Sequence, residues 1–444
     1  MGAFFCRNVC FALVMALLPC HAVSAAAALA GQGEADDDKA FPETELSRKL
    51  LATGLPLVQV RTNTGEDPTC TVIPSSEVPK GCIGIGVKDK VKLRAVAVHS
   101  EYKWDVDSCM ISIRGNSSAA YPNGKKSYKL KFDRKKSLID GVVSQKEWLL
   151  IKEESSAIYT EIGFKVNRLI HPTWTPTLSH VNLILNGDYK GLYVLENAMT
   201  DKIVPNGFIA EWDPYWWNEE EYITTPLHEE DMRAAYTFKE YSSEAPAILE
   251  NFDNAIIAGQ PVNYRSAAEW LLCHDILGTY DGHGSNIFLF YQPGQPLGFG
   301  CLWDFDTIFR TKKTWAREHG IVHFKHLMKN SDFVETYISL LDNIRVSEFV
   351  REVTDLQYLE SLKESWKLDN SRWHVSRPSI DRQIEVAREW FETRFDDLDS
   401  LVGELREITR VETMRNEDDR PHSIYRINER IVVNNGTKEL CPLK

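Results

Sequence analysis

Beyond its first 30 residues the sequence has no apolar run approaching the ~18 residues that a bilayer crossing needs. No membrane span is therefore expected in the mature chain. There is no internal repeat, which sets aside solenoids and propellers. No two cysteines stand in a Cys-x-x-Cys spacing, so a structural zinc site is not expected. Positive charge is in the minority: 51 Lys and Arg face 64 Asp and Glu, for a formal net charge of -13. That balance argues against a nucleic-acid binder working by broad phosphate neutralisation, and no nucleic acid is expected as a partner. It leaves room for a local basic site.

What is present is the balance of a globular chain with a sizeable core: 444 residues, 43% hydrophobic and 26% charged, with 12 Trp. Residues 1–25 read as a secretory signal peptide, with Arg7 as the positive start, an apolar centre over 11–18 and Ala-Val-Ser-Ala at the cleavage site. A secreted or extracytoplasmic location follows. Cleavage removes the one charge of that segment and takes -13 to -14. It also removes Cys6, Cys10 and Cys20, leaving Cys70, Cys82, Cys109, Cys273, Cys301 and Cys441. An even number in an exported chain suits up to about three disulfides, with Cys70–Cys82 a plausible local pair.

Residues 26–54 read as a flexible acidic linker around Asp36-Asp37-Asp38. From 55 to 205 short β-rich runs alternate with turn signals. Strands are expected over 91–98, 110–114 and 128–132, the last placing Lys129 and Lys131 on one face. Ala157–Leu169 has helical spacing, and Asn186-Gly187 between two apolar runs predicts a hairpin. From 206 to 408 the texture is helical, with helices expected over 245–257, 266–280, 346–366 and 380–408. A β-like pair, 286–291 and 299–303, interrupts them. Residues 409–444 form a charged tail. Strands first and helices later predict an α+β fold with two lobes.

The strongest local signal is Tyr280-Asp-Gly-His-Gly-Ser-Asn286, a hairpin, then Trp303-Asp-Phe-Asp306. A helix runs into Asp281, Asn286 opens a strand, and the hairpin returns to Asp304. Gly282 and Gly284 alone would serve only a bend; the later Trp-Asp-Phe-Asp gives Asp281 a chemical reading. The layout resembles protein kinases, where a catalytic-loop Asp takes the hydroxyl proton, an Asn five residues on holds metal, and a later Asp holds metal on the nucleotide phosphates. Such chemistry needs hard oxygen ligands converging beside one base. His283 has no His-x-x-x-His partner and is not expected to ligate metal.

In sequence order, Ile113-Arg-Gly-Asn-Ser117, Lys126–Phe132, Leu185–Glu196, Asp281–Asn286, Trp303–Asp306 and Trp390-Phe-Glu-Thr-Arg394 together resemble the CotH-type family of secreted atypical protein kinases. The resemblance implies a two-lobed atypical kinase-like fold, with a β-rich nucleotide-binding lobe at 55–205 and a helical catalytic lobe at 206–408. It also implies ATP as co-substrate, Mg²⁺ or Mn²⁺, and a protein substrate phosphorylated on Ser or Thr, the kinase itself included. Carried onto this chain, Asp281 is the catalytic base. Asn286, Asp304 and Asp306 hold the metal, and Arg114, Ser117, Lys126, Lys129, Lys131 and Glu196 bind the nucleotide. The Arg114–Ser117 turn lacks the kinase Gly-x-Gly-x-x-Gly. Which lysine faces the phosphates stays open: Lys126 matches the family pattern, and strand alternation favours Lys129 or Lys131. A family Arg-Asn pair is replaced near Thr160-Glu161, and Glu161 is a candidate lysine partner on that helix. Sequons stand at Asn116 and Asn435, and the former is expected to be bare beside a phosphate loop. The acidic, aromatic stretch 211–221 reads as a packed loop. Two competing readings are a secreted carbohydrate- or phosphoester-active hydrolase, which paired acids and tryptophans suit, and a catalytically inactive kinase-like structural or coat protein.

Overall fold

Period-two alternation makes a strand whose one face can be buried while the other stays polar. The computed structural model describes residues 41–73, 87–101, 107–115, 117–120, 124–212, 236–279, 286–314, 322–418, 432–434 and 437–439. It carries that alternation into a closed barrel of seven strands. Strand β1 (Leu57–Thr62) is followed by a two-stranded ribbon, β2 (Thr71–Val72) and β3 (Val87–Lys88). Then come β4 (Leu93–His99), β5 (Asp107–Arg114), β6 (Ser127–Lys136), β7 (Gln145–Lys152), β8 (Leu178–Leu185) and β9 (Asp188–Asn197). The order is β1-β4-β5-β6-β7-β9-β8, and a parallel pairing of β1 with β8 closes it. The β8–β9 turn uses Asn186 and Gly187, both at positive φ, as the Asn-Gly signal predicts. Ile111, Leu130, Trp148, Leu183 and Leu195 fill the interior.

The outer face of the barrel follows from the register. Ser112, Lys129, Leu149 and Glu196 stand in one row across β5, β6, β7 and β9. Arg114 pairs with Ser127 toward one end of the strands, and Lys131 lies opposite Glu147 toward the other.

Helix α1 (Glu45–Leu51) falls within the stretch expected to be a linker. Thr44 and Ser47 form a reciprocal capping box at its start, and Leu50 packs with Leu57, Ile184 and Tyr189. The short α2 (Ser117–Ala120) follows β5, and α3 (Tyr159–Ile170) follows β7. The second half holds α4 (Ala245–Ile257), α5 (Tyr264–Leu277), α6 (Val322–Leu327), α7 (Ser331–Asp342), α8 (Val346–Thr354), α9 (Leu359–Trp373) and α10 (Ile380–Asp418). The single helix expected over 346–366 is two helices: Tyr358 sits in the left-handed region at φ 54°, which a right-handed helix cannot propagate through. Strands β10 (Phe208–Trp212), β11 (Tyr236–Glu240), β12 (Ile287–Tyr291) and β13 (Gly298–Phe299) form a sheet in the order β11-β10-β12-β13. A separate hairpin, β14 (Val432–Asn434) with β15 (Thr437–Glu439), lies in the tail. The fold is thus mixed α and β, strand-rich first and helix-rich later. A large apolar core centred on Trp270, Phe324, Phe333, Phe391 and Phe395 unites the helices with α3 and the second sheet.

Among the described residues Cys70, Cys109, Cys273 and Cys301 are free thiols. Cys82 and Cys441 lie outside them, and with Cys82 the expected Cys70–Cys82 pair. No described helix is long and apolar enough to cross a membrane.

One buried ionic group ties the barrel to α9. Lys125 Nζ lies 2.6 Å from Asp369 Oδ1, with both side chains at most 2% exposed. Arg377 takes the other carboxylate oxygen at 2.7 Å, and the Leu192 amide of β9 donates to Oδ1 at 2.8 Å. Burying such charges is unfavourable unless every partner is present. Asp369→Ala is therefore expected to lower stability by about 3–5 kcal/mol in denaturant titration, because it deprives buried Lys125 and half-buried Arg377 of their carboxylate. A loss well under 1 kcal/mol would show the group to be dispensable.

Candidate active site

The ends of β5, β7 and β9 meet the turn that follows β13. Between them lies a cleft open to solvent, lined among others by Arg114, Ser127, Lys152, Glu153, Glu154, Glu196, Trp303, Asp304 and Asp306. Of the residues expected to act, Arg114, Glu196, Asp304 and Asp306 therefore come together. The antiparallel β12–β13 pairing, Leu289 with Phe299 and Phe290 with Gly298, explains how. The Gly300 amide donates to Phe288 O at 2.7 Å, so the chain leaves β13 beside β12 and reaches Asp304 four residues later. Asn286 itself is half-buried just before β12.

Helix α3 positions the Trp-Asp-Phe-Asp turn. Gly163, Phe164 and Asn167 share one face, as three- and four-residue spacing requires. Asn167 is fully buried, and its Oδ1 accepts the Leu302 amide at 3.0 Å. The Phe164 ring meets Phe305 edge-on at 5.2 Å. Gly163 leaves the notch that Phe305 fills: a Cβ there would stand 2.2 Å from the Phe305 ring. With these anchors, Asp304 is held at φ 62°, a region that non-glycine residues seldom occupy.

The far side of the turn is fixed to the end of α5. Gly278 ends that helix at φ 56°. The Phe309 amide donates to Leu277 O at 2.8 Å, and the Arg310 and Thr311 amides donate to Gly278 O at 3.1 Å. Buried Arg394 of α10 donates to the carbonyl oxygens of Asp275, Lys312 and Lys313. Trp390 Nε1 donates to Ile276 O at 3.0 Å. The Trp390–Arg394 motif is thus a latch on the helix that leads toward Asp281. Asp281 lies outside the described residues, as do His283, Asn116 and most of the acidic aromatic stretch.

Electrostatics in the cleft are dominated by carboxyls held short of full ionisation. Burial pushes Glu196 up to about 7; the Asp304 charge adds to this and Arg114 opposes it. Asp306 also rises to about 7, through burial first and then the charge and hydrogen bond of Asp304, with Arg310 and Lys152 opposing. Glu153, 4% exposed, rises to about 8 through burial, with Asp369 and Glu196 adding and Thr160 and Lys125 opposing. Asp304 and Asp306 stand close enough for the charge of one to oppose that of the other, and carboxylate oxygens of this kind suit a hard divalent cation. Among the described residues no three His, Cys, Asp or Glu side chains form a metal-holding group.

The lysines are distributed differently from the sequence expectation. Lys129 and Lys131 both pair with Glu147, the latter at 3.0 Å, on the outer face of the barrel. They are not among the residues lining the cleft, although Lys129 shares the row of Glu196 with Leu149 between them. Lys126 Nζ donates to Ala119 O at 2.8 Å. Its ammonium is disfavoured by burial and by Lys152, while Cys70 and Glu154 support it. Ser117 begins α2, and its side chain lies outside the described residues. The ammonium lining the cleft belongs to Lys152, 8% exposed and paired with Glu154. Sequence reading missed it; the signal was the charged run Lys152-Glu-Glu154 directly after the apolar Trp148–Ile151. Glu161 points elsewhere, 3.1 Å from Lys165 and 3.8 Å from His180.

Two consequences are measurable. Gly163→Ala displaces Phe305 and with it Asp304. It is expected to cost about 1–3 kcal/mol through overpacking and to weaken the binding of nucleotide to the cleft. Equal nucleotide affinity in Gly163→Ala and wild type, by titration calorimetry, would refute the coupling. The second concerns pH. The Glu153 carboxyl titrates higher folded than unfolded, so its contribution is intact below about 4.5 and is lost as pH rises through about 8. Glu153→Gln should match wild type in Tm near pH 5 and exceed it increasingly toward pH 9 in a thermal-shift series. A constant offset would contradict the buried neutral acid.

Comparison with known proteins bears on this arrangement. A search of curated proteins finds no match. Among solved structures, the Helicobacter pylori proinflammatory kinase CtkA is similar at 9% identity and TM-score 0.31, covering 64% of this chain and 95% of that one. The Shewanella oneidensis toxin–antitoxin HipA, HipB and operator DNA complex follows at 9% identity and TM-score 0.25, covering 59% and 60%. Likenesses this low bear no weight beside the family match. The family described as CotH kinase protein matches residues 111–397, more than half of the chain and the whole span from β5 through the Arg394 latch, and the chain therefore belongs to the CotH kinase family.

Proposed function

We propose that this protein is a secreted, metal- and ATP-dependent protein kinase that transfers the γ-phosphoryl group to Ser or Thr, its own included. Family membership implies a phosphotransferase with ATP as co-substrate. The observation that supports the fuller reading is the convergence of Arg114, Lys152, Glu196, Asp304 and Asp306 on one cleft. In this reading residues 55–205 are a nucleotide-binding lobe and 206–408 a catalytic lobe, behind the signal peptide 1–25 and the acidic linker.

Arg114 and Lys152 neutralise the polyphosphate from the barrel side, with Ser117 and Lys126 at its edge and Glu196 near the base. Lys129 and Lys131 stay paired with Glu147 and set the charge of the adjoining face. Asn286, Asp304 and Asp306 supply oxygens for Mg²⁺ or Mn²⁺, which when bound offsets phosphate charge and leaves the leaving group less basic. Asp281 takes the proton of the acceptor hydroxyl as the new O–P bond forms and the bridging P–O bond breaks, releasing ADP. Preorganised charge of this kind supplies most of the acceleration.

Incubation of the purified mature chain with ATP labelled at the γ- or the α-phosphate tests this directly. Label should pass to protein from the γ position only. It should fall by about 100-fold or more in Asp281→Asn and Asp304→Asn, the usual effect of losing one such group. Label from the α position would identify AMP transfer, and undiminished transfer by both variants would remove these residues from the chemistry.

A further inference from the structure

The wall of the cleft between β7 and α3 is held by residues far away in the chain. The connection between these elements, 153–158, runs out of the interior and back. Glu153 is buried, Glu154 and Ser155 are exposed, and Ser156, Ala157 and Ile158 are buried again. The exposed tip lines the cleft, and Glu154 there pairs with the Lys152 ammonium. A connection that enters the core at both ends must have its polar groups met there.

Both flanks of the tip are met from the corner between α9 and α10. On one flank, Lys125 Nζ donates to Glu153 O at 3.1 Å. That ammonium is held by Asp369, whose other oxygen takes Arg377 of the corner. On the other flank stands Gln383 of α10, 5% exposed. Its Oε1 accepts the Ser156 hydroxyl at 2.7 Å and the Ala157 amide at 3.1 Å. The Ser156 oxygen in turn accepts the Ile158 amide at 3.1 Å. Gln383 Nε2 donates to Pro378 O at 2.9 Å, and the Trp366 indole donates to the same carbonyl at 2.9 Å. The orientation of this side-chain amide is therefore fixed: turned over, it would set NH₂ against the Ala157 N–H and oxygen against the Pro378 carbonyl. Gln383 and Ser156 are 227 positions apart in sequence, so the hold is a product of the fold.

We propose that Gln383 is a positioning residue of the nucleotide site: through Ser156 and Ala157 it holds the Glu154–Ser155 tip, and with it the Lys152 ammonium, in the wall of the cleft. Gln383 does not itself line the cleft, so it acts only through the connection. The use of that wall for a polyphosphate rests on the kinase reading above; the hold rests on the hydrogen bonds alone. A tip already in place does not have to be ordered when nucleotide binds, which preserves affinity.

Calorimetric titration of the purified mature chain with β,γ-methylene ATP and Mg²⁺ reads binding without turnover. Gln383→Met keeps the bulk of the side chain and loses both hydrogen-bonding ends, and it should weaken binding about tenfold. Gln383→Glu keeps an oxygen for Ser156 and Ala157 and should stay within about threefold of wild type. Ser156→Ala removes one of the two bonds, should also weaken binding, and serves in place of the Met variant if that one is too unstable to titrate. Because both residues act through one connection, the double variant Gln383→Met/Ser156→Ala should bind no more than about twofold worse than Gln383→Met alone. Leu401→Ala, buried farther along α10, should lower Tm yet bind within about twofold of wild type, since it removes packing and no part of the connection. Hydrogen exchange across 153–158, without nucleotide, should quicken in Gln383→Met and stay as in wild type in Leu401→Ala. The inference is overturned if Gln383→Met and Ser156→Ala bind as wild type, if Leu401→Ala loses as much as they do, or if exchange across 153–158 does not change. Failure of wild type to bind nucleotide would instead overturn the kinase reading, and the exchange result would still decide whether Gln383 holds the connection.

Discussion

The site depends on the fork of Arg394. Its guanidinium reaches carbonyl oxygens on two segments: Asp275 in α5, and Lys312 and Lys313 beyond the Asp306 turn. Those segments are 37 residues or more apart in sequence, and the fork makes them one body. A planar group with five donors in fixed directions can do this; a lysine cannot. Trp390 closes on the same helix end, against Gly278, where a Cβ would lie 2.2 Å from its ring. Charge also matters, since the carbonyls at a helix C-terminus carry partial negative charge that a buried cation complements. The late helix is thus a structural part of the site through its bonds to these backbone carbonyls.

A second constraint is the division of charge across the cleft. Arg114 and Lys152 come from barrel strands, whose rows are fixed by hydrogen bonding. Asp304 and Asp306 come from a turn and crowd one another. Glu153 and Glu196 add buried acid between them. Burial is the first cause that raises Glu153, Glu196 and Asp306, and neighbouring carboxylates add to it.

Much of this was legible in the sequence, and the parts that were not have definite causes. Local signals gave β4, β5 and β6, with period-two alternation in β4 and β6, and Asn186-Gly187 between two apolar runs gave the β8–β9 hairpin. Closure of the barrel was not legible: a parallel contact between β1 and β8 joins residues more than a hundred positions apart, and alternation says nothing of partners. The ordered motifs placed Arg114, Glu196, Asp304 and Asp306 in one reading, and the cleft brings them together. They did not distinguish the lysines. Alternation puts Lys129 and Lys131 on the outer face correctly, but the outer face is wide, and Glu147 opposite takes both. Lys152 escaped notice because it ends a strand, where alternation loses its meaning. The break at Tyr358 inside an apolar helical pattern was equally silent, since side-chain periodicity continues across a backbone reversal.

The left-handed backbone of Asp304 links these points. Such a conformation costs an Asp on the order of 1 kcal/mol or more and persists only where its surroundings over-determine it. Here they do so from both directions. Before it, the Leu302 amide is taken by Asn167. After it, Phe305 is seated over Gly163, and Phe309 through Thr311 are bonded to the end of α5. Each anchor belongs to α3, α5 or α10, so the direction of one carboxylate is set by three helices together. The strained backbone at Asp304 is thus bound into the packing of the helices around it, and it carries a carboxylate within charge–charge reach of Asp306.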